Sequence, residues 1–396
     1  MGFRTLDGVD VAGKRVLVRV DFNVPLQDGE VCDDTRLAAA LPTIRRLQGG
    51  GAKVILISHF DRPKGKRVPT MSLKPVVAPL ARLLGAPVAF AEDCVGETAH
   101  AAVDAMKPRD VLLLQNLRYH AGEEANDPAF AKELAENGDI YVDDAFSAAH
   151  RAHASTEGLA HVLPAYAGES MRRELAALDA ALGSPKRPVL GIVGGSKVST
   201  KLDLLHNLIL KLDQLAIGGG MANTFLFAQG WGVGASYCEK ELADTARGIM
   251  AFAERRRCEL LLPIDIVVAE RPDPGAAARV RGLGELDDHE RILDAGPKTI
   301  ERLCKAMDAA QTLIWNGPLG VFEVPPFDKG TATAARHAAA LAKAGKLVAV
   351  AGGGDTVAAL NAAKAACDFS FVSTAGGAFL EWMEGKTLPG VEALQT

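Results

Sequence analysis

Short apolar runs alternate with longer stretches of helical periodicity along nearly the whole chain, and no other feature restricts its fold as much. In the first half the runs are RVLVRV, KVILIS, PVAF, VLLL and DIYV. Between them, DDTRLAAALPTIRRL and SLKPVVAPLARLLG carry apolar residues at helical spacing and close on glycine. Pro42 and Pro79 fall inside these stretches and are expected to kink them. The second half repeats the rhythm with PVLGIV, QLAI, ELLLPI, TLIW, KLVAVA and FSFV. Strands that are apolar throughout, separated by helices, belong to a parallel sheet covered on both faces. Two such series in 396 residues predict an α/β chain of two doubly wound parallel-sheet (Rossmann-like) domains, joined by a helix, with a cleft between them. Residues 168–188, GESMRRELAALDAALGSPKRP, read as one amphipathic connecting helix; a crossover helix inside one larger sheet is the alternative.

Composition narrows the class. A net charge of −5, a pI near 6.0 and only 5% aromatic residues argue against a general nucleic-acid binder. The start, MGFRTLDGVDVAGK, lacks the basic and apolar regions of a signal peptide, and no apolar stretch is long enough to span a bilayer. Six scattered cysteines with no C-x-x-C pair fit reduced thiols in the cytoplasm. The nine histidines show no metal spacing.

Open α/β sheets bind ligands beyond the carboxyl ends of their strands. In the first half those positions hold Asp21 and Asn23, His59 and Arg62, Arg118, and Arg151, with Arg36 opening the first helix. Any one of these arginines alone suits the surface, and Asp21 with Asn23 alone suits a turn. Four arginines shortly after strand ends make a pocket for a small multiply charged anion, which guanidinium meets bidentately.

In the second half glycine takes those positions: GGSK, GGGMAN, NGPLGVFE and GGGDT. Glycine permits close backbone approach and positive φ, and helix N-termini behind such loops bind phosphate. Four such loops suggest a nucleotide. There is no G-x-x-x-x-G-K-[ST] and no dinucleotide fingerprint, so neither a P-loop protein nor a dehydrogenase is indicated. In VGGSKVSTKL, residues 193–202, a helix beginning near Ser196 places Lys197 and Lys201 on one face, ready for the phosphate tail. Asp355 suits an N-cap or a Mg²⁺ ligand, and the two are compatible. Glu323 suits either ribose hydroxyls or plain solvent.

The segments RVDFNVP, SHFDRPKG, NLRYHAGEEAN, DDAFSAAHRAHAS, GGSKVSTKL, GGGMANTFL, WNGPLGVFE, AGGGDTVAAL and GKTLPGV, in this order, closely resemble the phosphoglycerate kinase family over about residues 11–391. The resemblance implies reversible phosphoryl transfer between ATP and the carboxylate of 3-phosphoglycerate, with Mg²⁺ accompanying ATP or ADP, in a monomeric, hinge-bending cytoplasmic enzyme with neither nucleic-acid nor membrane partners. It implies a phosphoglycerate-binding domain over 1–167, a hinge helix over 168–188, a nucleotide-binding domain over 189–380 and a segment over 381–396 that returns to the first domain. Asp21, Asn23, Arg36, His59, Arg62, Arg118 and Arg151 would bind the phosphoglycerate. Lys197, Lys201, Gly219, Asn316, Glu323, Gly353, Gly354, Asp355 and Thr356 would bind the nucleotide, with Asp355 on the metal and Gly376 and Gly377 forming a loop toward the transferring phosphate. Lys197 and Arg36 are expected to flank that group as catalytic residues. The chain departs from the family's usual pattern at Asp61, Gln115, Ala121, Ala375 and Phe379, which leaves a catalytically weakened, regulatory relative as the alternative reading.

Overall fold

The computed structural model describes residues 2–395; residues 1 and 396, the outermost positions of the expected first domain and C-terminal segment, lie outside them. Six strands build the first sheet: β1 (Arg15–Arg19), β2 (Lys53–Ile57), β3 (Val88–Ala91), β4 (Val111–Leu114), β5 (Ile140–Asp143) and β6 (Ala165–Ala167). They are parallel and lie in the order β3-β4-β2-β1-β5-β6. β4 and β5 are buried along their whole length, which is why their sequences are apolar without alternation. Helix α1 (Thr35–Gly49) presents Leu37, Ile44 and Leu47 to one face of this sheet, where they join Val16, Val18 and Leu56 in one core. It stays helical through Pro42. The second expected helix is shorter than its pattern. A 3₁₀ turn, Lys74–Val76, precedes α2 (Val77–Leu84), so Pro79 falls in the first turn, where its missing N–H leaves no bond unmade.

The second parallel sheet contains β7 (Val189–Val193), β8 (Gln214–Ile217), β9 (Glu259–Leu261), β13 (Thr312–Asn316), β14 (Val348–Gly352) and β15 (Phe371–Ser373), in the order β9-β8-β7-β13-β14-β15. Leu190, Ile192, Leu313 and Trp315 pack there against Ile300, Leu303 and Ala338. The run ELLLPI is not one strand. Pro263 follows the end of β9, and the chain then enters a separate antiparallel sheet of β10 (Asp265–Ala269), β11 (Arg279–Gly282) and β12 (Arg291–Ala295). The polar strand β11 carries no period that would have announced it.

The connecting helix also ends early. It spans Glu169–Leu178, labelled α3, and is followed by a widened turn, Asp179–Gly183, closed by the Ser184 amide on the Asp179 carbonyl at 2.8 Å. The buried carboxylate of Asp144 accepts the amides of Ser170 and Met171, capping α3. The division into two units falls inside α3. One unit comprises Met1–Leu175 and Thr387–Thr396, the other Ala176–Lys386. In each sheet the strand order reverses beside the first strand, between β1 and β5 and between β7 and β13. Such switch points open crevices at the strands' carboxyl ends.

Candidate active site

In the first unit the crevice beyond β1 is lined by a connected set of polar groups. The Asp21 carboxylate pairs with Arg36 Nη1 at 3.0 Å and accepts the Ser147 hydroxyl and the Asn23 amide. Burial pushes its pKa up, and the Arg36 guanidinium and these donors work against burial. Arg36 Nη1 also donates to the Asn23 carbonyl at 2.8 Å. Asn23 Oδ1 accepts the Asp61 amide at 2.9 Å, and the Asp61 carbonyl accepts Arg118 Nη1 at 2.9 Å. Four sequence-derived residues, Asp21, Asn23, Arg36 and Arg118, are thus joined directly or bridged through the backbone of Asp61. Arg62 and Arg151 are exposed on the loops that follow β2 and β5, and Arg151 Nε donates to His150 at 3.1 Å. No hydrogen bond ties either of them to that cluster among the described residues.

His59 is buried, and its Nδ1 lies 3.0 Å from Arg19 Nη2. Guanidinium only donates, so Nδ1 accepts and the ring proton sits on Nε2. Burial first, then Arg19, holds the His59 pKa well below normal, so the ring is neutral. Arg19 itself was not among the sequence candidates. It is fully buried, and its Nε donates to Ser155 Oγ at 2.8 Å, which in turn donates to the buried Glu123 at 2.6 Å. A charge inside the apolar run RVLVRV was the signal that could have found it.

The departures at Asp61, Gln115 and Ala121 have local explanations. Asp61 has φ +52°, the left-handed region that glycine favours and that aspartate tolerates better than most residues. Its side chain is exposed and, among the described residues, has no ion pair with Arg62 or Lys64. Gln115 is buried: its carbonyl accepts the Leu73 and Asn116 amides and its amide donates to Ser72. Ala121 packs beside Gly65.

In the second unit the strand ends bring backbone against backbone. A Cβ on Gly194 would meet the Pro318 carbonyl at 1.8 Å, so only glycine fits. Gly353 has φ +99° and lies against Asn316, just before helix α11 (Gly354–Ala362). Lys201 and Lys197 do not share a helical face. The helix begins only at Leu202 (α6, Leu202–Lys211), after a loop that ends with Lys201. Lys201 Nζ turns back to the Gly194 carbonyl at 2.7 Å and to Asn316 Oδ1 at 2.6 Å, whereas Lys197 is exposed. Burial lowers the Lys201 pKa to about 8, with Asp355 and Glu384 opposing it. Thr356 is buried, and its hydroxyl accepts the Gly317 amide at 2.7 Å.

A cavity of about 330 Å³ opens here, lined among others by Gly195, Gly219, Gly220, Pro318, Glu323 and Asp355. Gly219 begins α7 (Gly219–Ala228) with φ +67°, and a Cβ there would come within 2.7 Å of the Gly195 carbonyl. Glu323 and Asp355 are exposed at this rim. Asp355 is a hard oxygen donor in the first turn of α11, and among the described residues no ion pair engages it. A free carboxylate of this kind fits Mg²⁺ that takes its remaining ligands from phosphate and water. Gly376 and Gly377 begin α12 (Gly376–Met383), with Gly376 at φ +41°. Ala375 is buried just before it, and Phe379 is fully buried with its ring against Gly352, so Phe379 fills the core rather than the rim. The one other group of potential metal ligands among the described residues, Asp93, Cys94 and His120, belongs to the first unit. Asp93 Oδ1 is already engaged by His120 at 2.7 Å and by the Cys94 amide at 2.8 Å.

Two doubly wound units, one with a cationic rim and one with a glycine rim beside a cavity of about 330 Å³, are the frame of a two-unit α/β kinase. The family model described as phosphoglycerate kinase matches residues 6–386. The chain belongs to the phosphoglycerate kinase family. It is 70% identical over 396 residues to the phosphoglycerate kinase of Caulobacter vibrioides (strain NA1000 / CB15N), covering all of both chains. The solved phosphoglycerate kinase of Coxiella burnetii is 41% identical and superposes with a TM-score of 0.93, with 99% of each chain covered. That of Pyrococcus horikoshii OT3 is 29% identical with a TM-score of 0.79, over 99% of this chain and 98% of the other. The chain is thus an enzyme that transfers a phosphoryl group between ATP and 3-phosphoglycerate, a reaction of glycolysis. Nothing in these comparisons supports the weakened regulatory relative.

Proposed function

We propose that the first unit's rim holds 3-phosphoglycerate and the second unit's cavity holds the nucleotide. The observation that supports this reading most is the segregation itself: the Asp21–Arg36–Asn23–Arg118 cluster belongs to one unit, and Lys201, Asn316 and the glycine loops to the other. The accepting carboxylate is ionised at neutral pH, so no general base is required. What the transfer needs is alignment and compensation of charge on the equatorial oxygens. Arg36, Arg62, Arg118 and Arg151 orient the phospho-acid, and neutral His59 donates from Nε2. Asp21 and Asn23 hold Arg36 in place and offer polar edges to the substrate's hydroxyl. Lys201 and the amides at the start of α7, α11 and α12, with Gly219, Gly353, Gly354, Thr356, Gly376 and Gly377, face the phosphates. Asn316 fixes the Lys201 ammonium, and Glu323 takes the ribose. Lys197 and Arg36 neutralise the transferring group. Mg²⁺ held by Asp355 would supply charge neutralisation on the nucleotide's phosphate oxygens.

The chain works as a cytoplasmic monomer without nucleic-acid or membrane partners. In support stand its net charge of −5, free cysteines throughout and no helix long and apolar enough to cross a membrane among the described residues.

The test supplies ATP, Mg²⁺ and 3-phosphoglycerate and follows NADH oxidation through added glyceraldehyde-phosphate dehydrogenase. Turnover is expected, and chelating Mg²⁺ should abolish it. Lys197→Ala should lower kcat by about 10²–10³ with little change in the nucleotide KM. An unchanged kcat in that variant removes Lys197 from the role given it here.

A further inference from the structure

The loop that carries Lys197 is not helical, yet it is not loose, and a single side chain from elsewhere in the unit holds it. Glu239 Oε2 accepts the Val198 amide at 2.6 Å and the Ser199 amide at 3.1 Å, while Glu239 Oε1 accepts the Ser199 hydroxyl at 2.5 Å. The residue is buried. Burial works to raise its pKa, but the Ser199 hydroxyl and the two amides outweigh burial and draw it below the ordinary carboxylate range. The Lys197 carbonyl is fixed in turn by the Thr200 hydroxyl at 3.0 Å, and the Val198 side chain is wholly buried. The peptide planes on the C-terminal side of Lys197 are therefore pinned, although its ammonium is exposed.

Glu239 is itself fastened. Its amide donates to Thr224 Oγ1 at 3.1 Å, and Asn223 Nδ2 donates to the Tyr237 carbonyl at 3.1 Å. Thr224 and Asn223 belong to α7, whose first glycines line the cavity. One residue thus links two elements beside the cavity: its carboxylate holds the lysine loop, and its backbone amide bonds Thr224 in α7.

We propose that Glu239 is a positioning residue for phosphoryl transfer, fixing the Lys197 loop relative to α7 so that the Lys197 ammonium meets the charge that develops on the transferring group. The inference rests on the role given to Lys197 above. A charge aimed at a transition state acts through its position, and a misplacement of about 1 Å can cost on the order of 10² in rate.

The experiment is a double-mutant cycle on the full chain in the coupled assay, with thermal melting recorded for each variant. Glu239→Ala should lower kcat about 10²-fold and leave the KM for 3-phosphoglycerate unchanged, because that site lies on the other unit. Glu239→Gln, which offers its carbonyl to the two amides and its NH₂ to Ser199 Oγ, should recover to within roughly tenfold of the parent. In a Lys197→Ala background, replacing Glu239 should cost little more, because the group it positions is gone. The proposal is overturned if folded Glu239→Ala turns over within about twofold of the parent, or if its loss is as large without Lys197 as with it. Should Glu239→Ala fail to fold, the same cycle with Glu239→Gln decides by the same two criteria. An unaltered kcat in Lys197→Ala alone strikes at the underlying role, and the cycle separates that result from a failure of Glu239.

Discussion

Lys201 shows how burial sets the working range of a single group. Its ammonium is held between a backbone carbonyl and Asn316, and its pKa falls to about 8. It must carry its proton to attract phosphate. The charge is present below about pH 8 and is lost as pH rises through that value, so kcat/KM for the nucleotide should fall on an alkaline limb near pH 8. A bound phosphate favours the charged form and should move the limb in kcat to higher pH. Lys201→Arg should remove the limb altogether, and rate–pH profiles of the two proteins check this; a limb that persists belongs to another group. Asp21 and His59 were legible because they directly follow uninterrupted apolar runs, and Arg62 and Arg118 because they lie four residues beyond one. Arg19 was not: its partner Ser155 lies 136 residues away, and nothing local shows that the pair is buried together.

Among the elements, β14 and α12 settle what Phe379 does. Its ring occupies the space that a side chain on Gly352 would need, with a Cβ there only 2.6 Å from the ring. Phe379 is therefore a core residue whose partner is a glycine at a strand end. Replacing it with the much smaller serine should destabilise the protein by about 3–5 kcal/mol, as large-to-small core changes do, and should not raise turnover. Thermal melting beside the coupled assay measures both, and a faster, equally stable variant would show that the ring obstructs the rim instead. Alternating strands and helices could be read because burial on both faces leaves a plain apolar signature. The start of α6 could not. Its loop is shaped by Glu239, 40 residues along the chain from Ser199, and the helix begins six residues later than Ser196 suggested. The antiparallel sheet was hidden for a different reason: β11 is mostly polar, and β10 follows ELLLPI directly, with no helical stretch between them.

For the molecule as a whole, the groups assigned to the two reactants belong to separate units, whereas direct transfer requires the carboxylate oxygen and the terminal phosphorus to meet. Hinge closure on binding both ligands is what the family resemblance implies, and closure would exclude water from the transfer. Small-angle scattering should show the radius of gyration falling with ADP and 3-phosphoglycerate together and not with either alone; an unchanged radius with both would contradict closure. The division of labour between the units admits a still more direct test. Calorimetric titration of Arg118→Ala and Lys201→Ala with each ligand singly should give opposite patterns. Arg118→Ala should lose 3-phosphoglycerate binding and keep ADP, and Lys201→Ala should weaken ADP and keep 3-phosphoglycerate. If either variant loses the ligand assigned to the other unit while keeping its own, the reactants have been placed on the wrong units.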